Sequence, residues 1–183
     1  AAIVSYAAGM GKEKQVVALD YGSTSFLMAK ELTKRFQSLT VITNSVRNAL
    51  ALVRCPGFTV ILVGGILNKE ELSLGNDFSV MLDGLHIDIL FMSAGGIHPT
   101  VGLTDQGFGE ARVQNKMRQL SSRTVVLADS GKFGKASLVK ICSLQDVNTI
   151  ITDTSLDPTM EKAVRETGVE LIMVPTEEKL NLH

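Results

Sequence analysis

Val16-Val17-Ala18-Leu19-Asp20-Tyr21-Gly22-Ser23-Thr24 is the stretch whose reading decides the fold. Its first four residues are apolar without a polar break, and a turn of Asp, Gly, Ser and Thr then leads into a helical pattern. An unbroken, β-branched apolar run reads as a strand covered on both faces, the situation of a strand inside a parallel sheet. Six further runs repeat the theme: Leu39–Ile42, Val60–Val63, Ile87–Met92, Val125–Leu127, Thr149–Ile151 and Leu171–Val174. Helical periodicity lies between several of them. Val46, Ala49, Leu50 and Val53 form an i, i+3, i+4, i+7 stripe expected to cover a sheet face. Val113, Met117 and Leu120 do the same further on, as do Met160, Ala163 and Val164. Strand alternating with helix predicts right-handed crossovers and an α/β fold, an open, mostly parallel twisted sheet with helices on both faces. Residues 1–183 are expected to form one domain. Ser137–Ser143 is expected to add a strand, antiparallel and at an edge.

Composition narrows the function classes. The chain has 183 residues, 45% hydrophobic and 20% charged, with 18 basic against 19 acidic residues and a net charge of −1. Its basic residues are scattered, whereas a nucleic-acid grip needs a basic excess or stripe, so direct DNA binding by these residues is not expected. Cys55 and Cys142 match no metal or redox spacing and read as small core residues. His86, His98 and His183 form no ligand motif, so neither metal nor cofactor is expected. No apolar run approaches the roughly 20 residues of a membrane span, and the opening residues lack a basic n-region. A reducing, cytoplasmic setting is the expectation. The chain has no initiator Met and opens on a mid-helix pattern, which suggests a piece of a longer protein.

The residues after each strand carry the chemistry. They read Asp20-Tyr21-Gly22-Ser23-Thr24, Thr43-Asn44-Ser45, Gly64-Gly65, Ser93-Ala94-Gly95-Gly96, Asp129-Ser130-Gly131-Lys132 and Thr152-Asp153-Thr154. In a parallel sheet these ends share one edge, where α/β proteins place ligands. Small polar residues also cap helices, so it is the six ends together that point to a ligand crest. Gly22, Ser23 and Thr24 open a helix whose amides and dipole suit a phosphate. Lys132 could add a point charge. A Walker loop at Gly134-Lys135 fails, because Asp129 stands where a glycine is needed and Ala136 where a hydroxyl must hold magnesium. Gly64, Gly65, Gly95 and Gly96 suit close backbone approach. No G-x-G-x-x-G or G-x-S-x-G follows a strand, which argues against a dinucleotide site and an α/β serine hydrolase. Asp20 and Asp129 read either as an acid–base pair or as residues that orient the glycine loops.

The ordered string Asp20-x-Gly-Ser-Thr, Thr43-Asn44, Val63-Gly64-Gly65, Gly75, Asp88-x-x-Phe91-x-x-Ala94-x-Gly96-Ile97 and Asp129-Ser130-x-Lys132-Phe133-Gly134 resembles the C-terminal sensor domain of DeoR-family transcriptional regulators over roughly residues 1 to 175. The resemblance implies an effector domain for phosphorylated sugars or related metabolites, attached in the whole protein to an N-terminal helix-turn-helix that alone touches DNA. It implies a phosphate on Gly22, Ser23, Thr24 and Lys132. Asn44, Gly64, Gly65, Gly95 and Gly96 would line the pocket, and Asp20 and Asp129 would meet hydroxyls or hold loops. Self-association is expected, since operators are read by symmetric oligomers.

The same sensor fold is similar to ribose-5-phosphate isomerase, which raises a sugar-phosphate isomerase or deaminase as the alternative. Its D-G-A-D-E block falls on Met92-Ser93-Ala94-Gly95-Gly96, with glycine in place of both acids at the end, while Asp129-Ser130-Gly131-Lys132 is kept. Loss of a positioned base removes a factor of roughly 10²–10⁴, so the expectation is a binding module and no enzyme. A scaffold with a vestigial pocket is the third reading. Gly95–Gly109 is expected to be a long loop setting selectivity through His98, Thr104 and Asp105, with Glu110 and Lys116 on the next helix.

Overall fold

The computed structural model describes residues 1–75 and 82–175. A seven-stranded sheet forms its centre, built from β1 (Val16–Leu19), β2 (Leu39–Thr43), β3 (Phe58–Leu62), β6 (Ile87–Met92), β9 (Ser121–Leu127), β11 (Thr149–Asp153) and β12 (Glu170–Val174). Every pairing within it is parallel. The spatial order is β12-β11-β9-β6-β1-β2-β3, so the chain steps outward from β1 on one side and then restarts at β6 on the other. That reversal makes the gap between the ends of β1 and β6 the topological switch point.

Crossovers of one hand, running first one way and then the other, must cover opposite faces. The core divides accordingly. Val17, Leu19, Ile89, Phe91, Val125, Leu127 and Ile151 point to the face covered by α1 (Ala2–Ala8), α2 (Ser23–Arg35) and α3 (Val46–Leu52). Their neighbours Ala18, Leu90, Met92, Val126 and Ile150 face α4 (Phe108–Gln119) and α5 (Pro158–Arg165). The period of two inside each run is therefore real, but hidden in the sequence because both faces are apolar.

Two small antiparallel sheets sit above the crest. β4 (Ile66–Asn68) and β5 (Ser73–Gly75) form a hairpin, and β7 (Gly96–His98), β8 (Gly102–Asp105) and β10 (Val139–Cys142) form a three-stranded sheet. Several expectations are corrected here. Gly95–Gly109 is not an open loop: it holds β7, β8 and the start of α4. Gly96 is needed because a Cβ there would lie 2.5 Å from the Lys135 carbonyl oxygen. The strand within Ser137–Ser143 is antiparallel and at an edge as expected, but of the three-stranded sheet, where it pairs with β8. On α3, Leu50 and Val53 are 62% and 64% exposed, and the buried face carries Asn48 and Leu52 instead. Cys142 is buried, whereas Cys55 is only partly so.

Candidate functional site

Between the ends of β1, β6 and β9 lies a cavity of about 210 Å³, lined by Tyr21, Gly22, Ser23, Thr24, Ser93, Gly95, Asp105, Asp129 and Lys132, with Glu71 hanging in from the β4–β5 turn. It stands at the switch point, where the diverging crossovers leave the sheet edge uncovered. Gly22 is the N-cap of α2, with φ 96° and no capping side chain. α3 and α5 are capped by Ser45 and Asp157, whereas α4, like α2, starts at a glycine, Gly107, without a capping side chain. The opening amides of the 13-residue α2 are thus left without a side-chain acceptor at the positive end of its dipole.

Asp20 lies beneath this surface and is fully buried. Its Oδ2 accepts from the Ser93 amide and hydroxyl, both at 2.8 Å, and from Gln114 Nε2 at 2.9 Å. Burial pushes its carboxyl up to about 7, against the opposing pull of those Gln114 and Ser93 hydrogen bonds. The Asp20 backbone oxygen accepts from Ser25 Oγ at 2.8 Å and Asn48 Nδ2 at 2.8 Å. Asp20 therefore ties β1, β6, α2, α3 and α4 together under the cavity, and its carboxylate is turned to protein donors. This arrangement suits the loop-holding role more than contact with a ligand. Above it, burial and the adjacent Asp105 carboxylate hold the Tyr21 phenol well above its ordinary range.

Lys132 is set by a second device. Asp129 caps the short 3-10 turn Ser130–Lys132 by accepting from the Gly131 amide at 2.9 Å. Asp153, at the end of β11, accepts from the Ser130 amide at 2.8 Å and the Ser155 amide at 2.9 Å. Burial acts upward on Asp153, but these hydrogen bonds prevail and hold its carboxyl below the usual range. The turn is fixed from both ends, and Lys132 projects from it toward the cavity.

Of the residues singled out in the sequence, Gly22, Ser23, Thr24, Gly95, Asp105, Asp129 and Lys132 meet at this cavity. Asn44, Gly64, Gly65 and Gly96 stand outside its wall. Asn44 donates to the Leu74 carbonyl at 3.1 Å and docks β5, while Gly65 packs against the Gly75 backbone. Glu110 secures the same hairpin from the other side, accepting from Ser73 Oγ at 2.8 Å and Asn68 Nδ2 at 3.2 Å. Lys116 is ion-paired with Asp83, and His98 closes the β7–β8 turn by accepting from the Thr100 amide. Gln114 and Glu71 had no sequence signal of their own, and Tyr21 and Ser93 only their places after strands. Nothing local pairs Ser93 with a residue 73 positions away. Among the described residues no cluster of His, Cys, Asp or Glu could hold a metal ion, and no helix is long and apolar enough to cross a membrane.

A doubly wound parallel sheet with a cavity at its switch point defines an α/β module of the class that places ligands at the carboxyl ends of its strands. More specifically, the chain belongs to the DeoR C-terminal sensor domain family, whose model matches residues 1–154. It is 35% identical over 175 residues to YulB of Bacillus subtilis, an HTH-type transcriptional regulator, covering 95% of this chain and 67% of that protein. A putative aga operon transcriptional repressor of Escherichia coli O157:H7 is 31% identical, covering 86% of this chain and 59% of the relative. An L-fucose operon activator of Haemophilus influenzae is 32% identical, covering 88% and 64%. The chain thus spans about two thirds or less of the curated relatives it matches. Among solved structures, ribose 5-phosphate isomerase A of Methanocaldococcus jannaschii aligns with TM-score 0.54 at 20% identity, over 72% of this chain and 52% of that one. The eIF2B beta subunit of Chaetomium thermophilum aligns with TM-score 0.56 at 14% identity, over 81% and 46%. These two likenesses concern the fold alone.

Proposed function

We propose that residues 1–183 are a single effector-binding domain of a DeoR-type repressor of sugar metabolism, cytoplasmic and self-associating, that binds a phosphorylated sugar. The observation that carries this reading is the convergence of the uncapped α2 N-terminus and Lys132 on one crest cavity. A phosphate dianion at Gly22, Ser23 and Thr24 would complete the helix end. Asp105 and Asp129 supply acceptors for sugar hydroxyls. Binding would shift the domain between two arrangements and so re-space paired helix-turn-helix units, which lie outside these residues. The size of any such shift is limited by the effector's differential affinity for the two arrangements.

Binding without turnover is the second half of the proposal. Asp20, the one carboxyl raised toward neutrality among the described residues, is enclosed by Ser93 and Gln114 beneath the cavity floor. A thermal-shift screen of phosphorylated sugars against their unphosphorylated forms tests the reading. Ligand at 100 times its Kd should stabilise the domain by about 2.7 kcal/mol, or roughly 5–10 °C in Tm. No shift with any phosphorylated sugar would favour a vestigial pocket. Turnover of ribose 5-phosphate or a hexosamine 6-phosphate, abolished by Asp129→Asn, would instead establish the enzyme.

A further inference from the structure

The cavity at the α2 end, at about 210 Å³, is smaller than the roughly 300–1,000 Å³ of ordinary small-molecule sites. It does not end there. Gly95, Asp129 and Lys132 also line a second chamber of about 570 Å³, completed by Gln106, Gly131, Lys135, Ala136 and Ser137. With Gly95, Asp129 and Lys132 in the walls of both, the two chambers adjoin as one trough, and together they fall within the usual range.

The second chamber is shaped by close packing. Besides the approach of Gly96 to the Lys135 carbonyl, a Cβ at Gly95 would stand 3.0 Å from Ser137 Oγ and 3.3 Å from the Asp105 carboxylate. The segment that carries Lys135 is fastened by the Gly134 amide donating to the Ile97 carbonyl at 2.9 Å and the Ser137 amide to Thr104 Oγ1 at 2.8 Å. Neither Lys132 nor Lys135 is ion-paired among the described residues. Along the trough the potential therefore alternates. It is positive at the α2 N-terminus and Lys132, offset there by the Glu71 carboxylate, negative at Asp105 and Asp129, and positive again at Lys135.

From this alternation we infer that the effector carries two anionic groups separated by a hydroxylated chain, as in a sugar bisphosphate or a phosphorylated sugar acid. The first anion lies on Gly22, Ser23 and Thr24. The hydroxyls donate to Asp105 and Asp129, and the second anion reaches Lys135 with Ser137 beside it. This assignment rests on the phosphosugar reading and adds the second charge to it.

Pairs in which one member gains a second anion separate the two ideas: fructose 6-phosphate against fructose 1,6-bisphosphate, and the ring form of glucose 6-phosphate against open-chain 6-phosphogluconate. Titration calorimetry of the whole chain should give a tighter Kd for the doubly anionic member of at least one pair, by about tenfold. Lys135 is exposed, so Lys135→Met should leave the fold intact, erase that preference and keep the singly charged partner within twofold. Equal binding within both pairs, with measurable affinity, would leave the phosphosugar reading standing and overturn this one. A preference that survives Lys135→Met overturns it as well. So does a preference lost in Arg47→Met, which would place the second anion in the cavity of about 380 Å³ that Arg47 and Glu71 line with Gly22 and Ser23. If no member of either pair binds, both readings fall together.

Discussion

Asp20→Asn isolates the energetics of the buried floor. In the fold the Asp20 carboxyl rises from 3.8 to about 7, chiefly because burial strips it of water. Ionising it there is about 4 kcal/mol harder than in the unfolded chain. Between those two values the native state keeps a proton that the unfolded state has lost. Its stabilising contribution is whole below pH 3.8, falls by up to about 1.4 kcal/mol per pH unit, and is gone above about pH 7. Asparagine has nearly the same shape and cannot ionise. Its carbonyl can receive the three donors that now meet Oδ2, while its NH2 group falls where Oδ1 has no partner, at a cost of about 1–3 kcal/mol. The variant should therefore be the less stable protein near pH 4 and the more stable one at pH 8. Urea melts of both proteins at pH 5 and pH 8 measure this. The gap should move by about 2–3 kcal/mol in the variant's favour, and other titrating groups cancel in the difference. Parallel stabilities across that range would refute a buried, proton-holding Asp20.

Two further substitutions test the cradle and its cover. Gly22→Ala forces a side chain into φ 96°, with Ser93 Oγ 3.6 Å from the new Cβ. Strain of about 1–3 kcal/mol should lower Tm by several degrees and weaken phosphosugar binding in titration calorimetry; an unchanged Tm would show that the cap relaxes freely. Glu71→Gln removes a carboxylate from the cavity beside the α2 N-terminus. Affinity for the best phosphorylated probe should rise by about two- to fivefold at low salt and less at high salt, and weaker binding would make Glu71 a ligand contact instead.

The seven apolar runs were all legible as strands, since burial on both faces leaves a continuous β-branched signature that needs no knowledge of neighbours. Residues 22–24 and 129–132 were legible too, because a turn, a helix start and a nearby lysine are local features. The outward stripe on α3 misled for a physical reason. That helix packs inward through Asn48, whose amide bonds the Asp20 carbonyl and Ser25, so a polar residue marks the buried face and Leu50 and Val53 face water. The glycines between residues 95 and 109 read as a loop. In the fold Gly95 and Gly96 allow close contact with the segment around Lys135, and Gly102 with the Cys142 backbone.

The sequence by itself determined the strands, the parallel class and the α2 cradle, each of which depends on residues within a turn or two of one another. Only the tertiary structure decided that β1 and β6 are neighbours, and with that the position of the cavity. It also decided that Asp20 serves as a buried tie across 73 and 94 residues to Ser93 and Gln114. The reason is that ionisation and hydrogen bonding depend on what is close in space and on how much water remains, and strand order sets both.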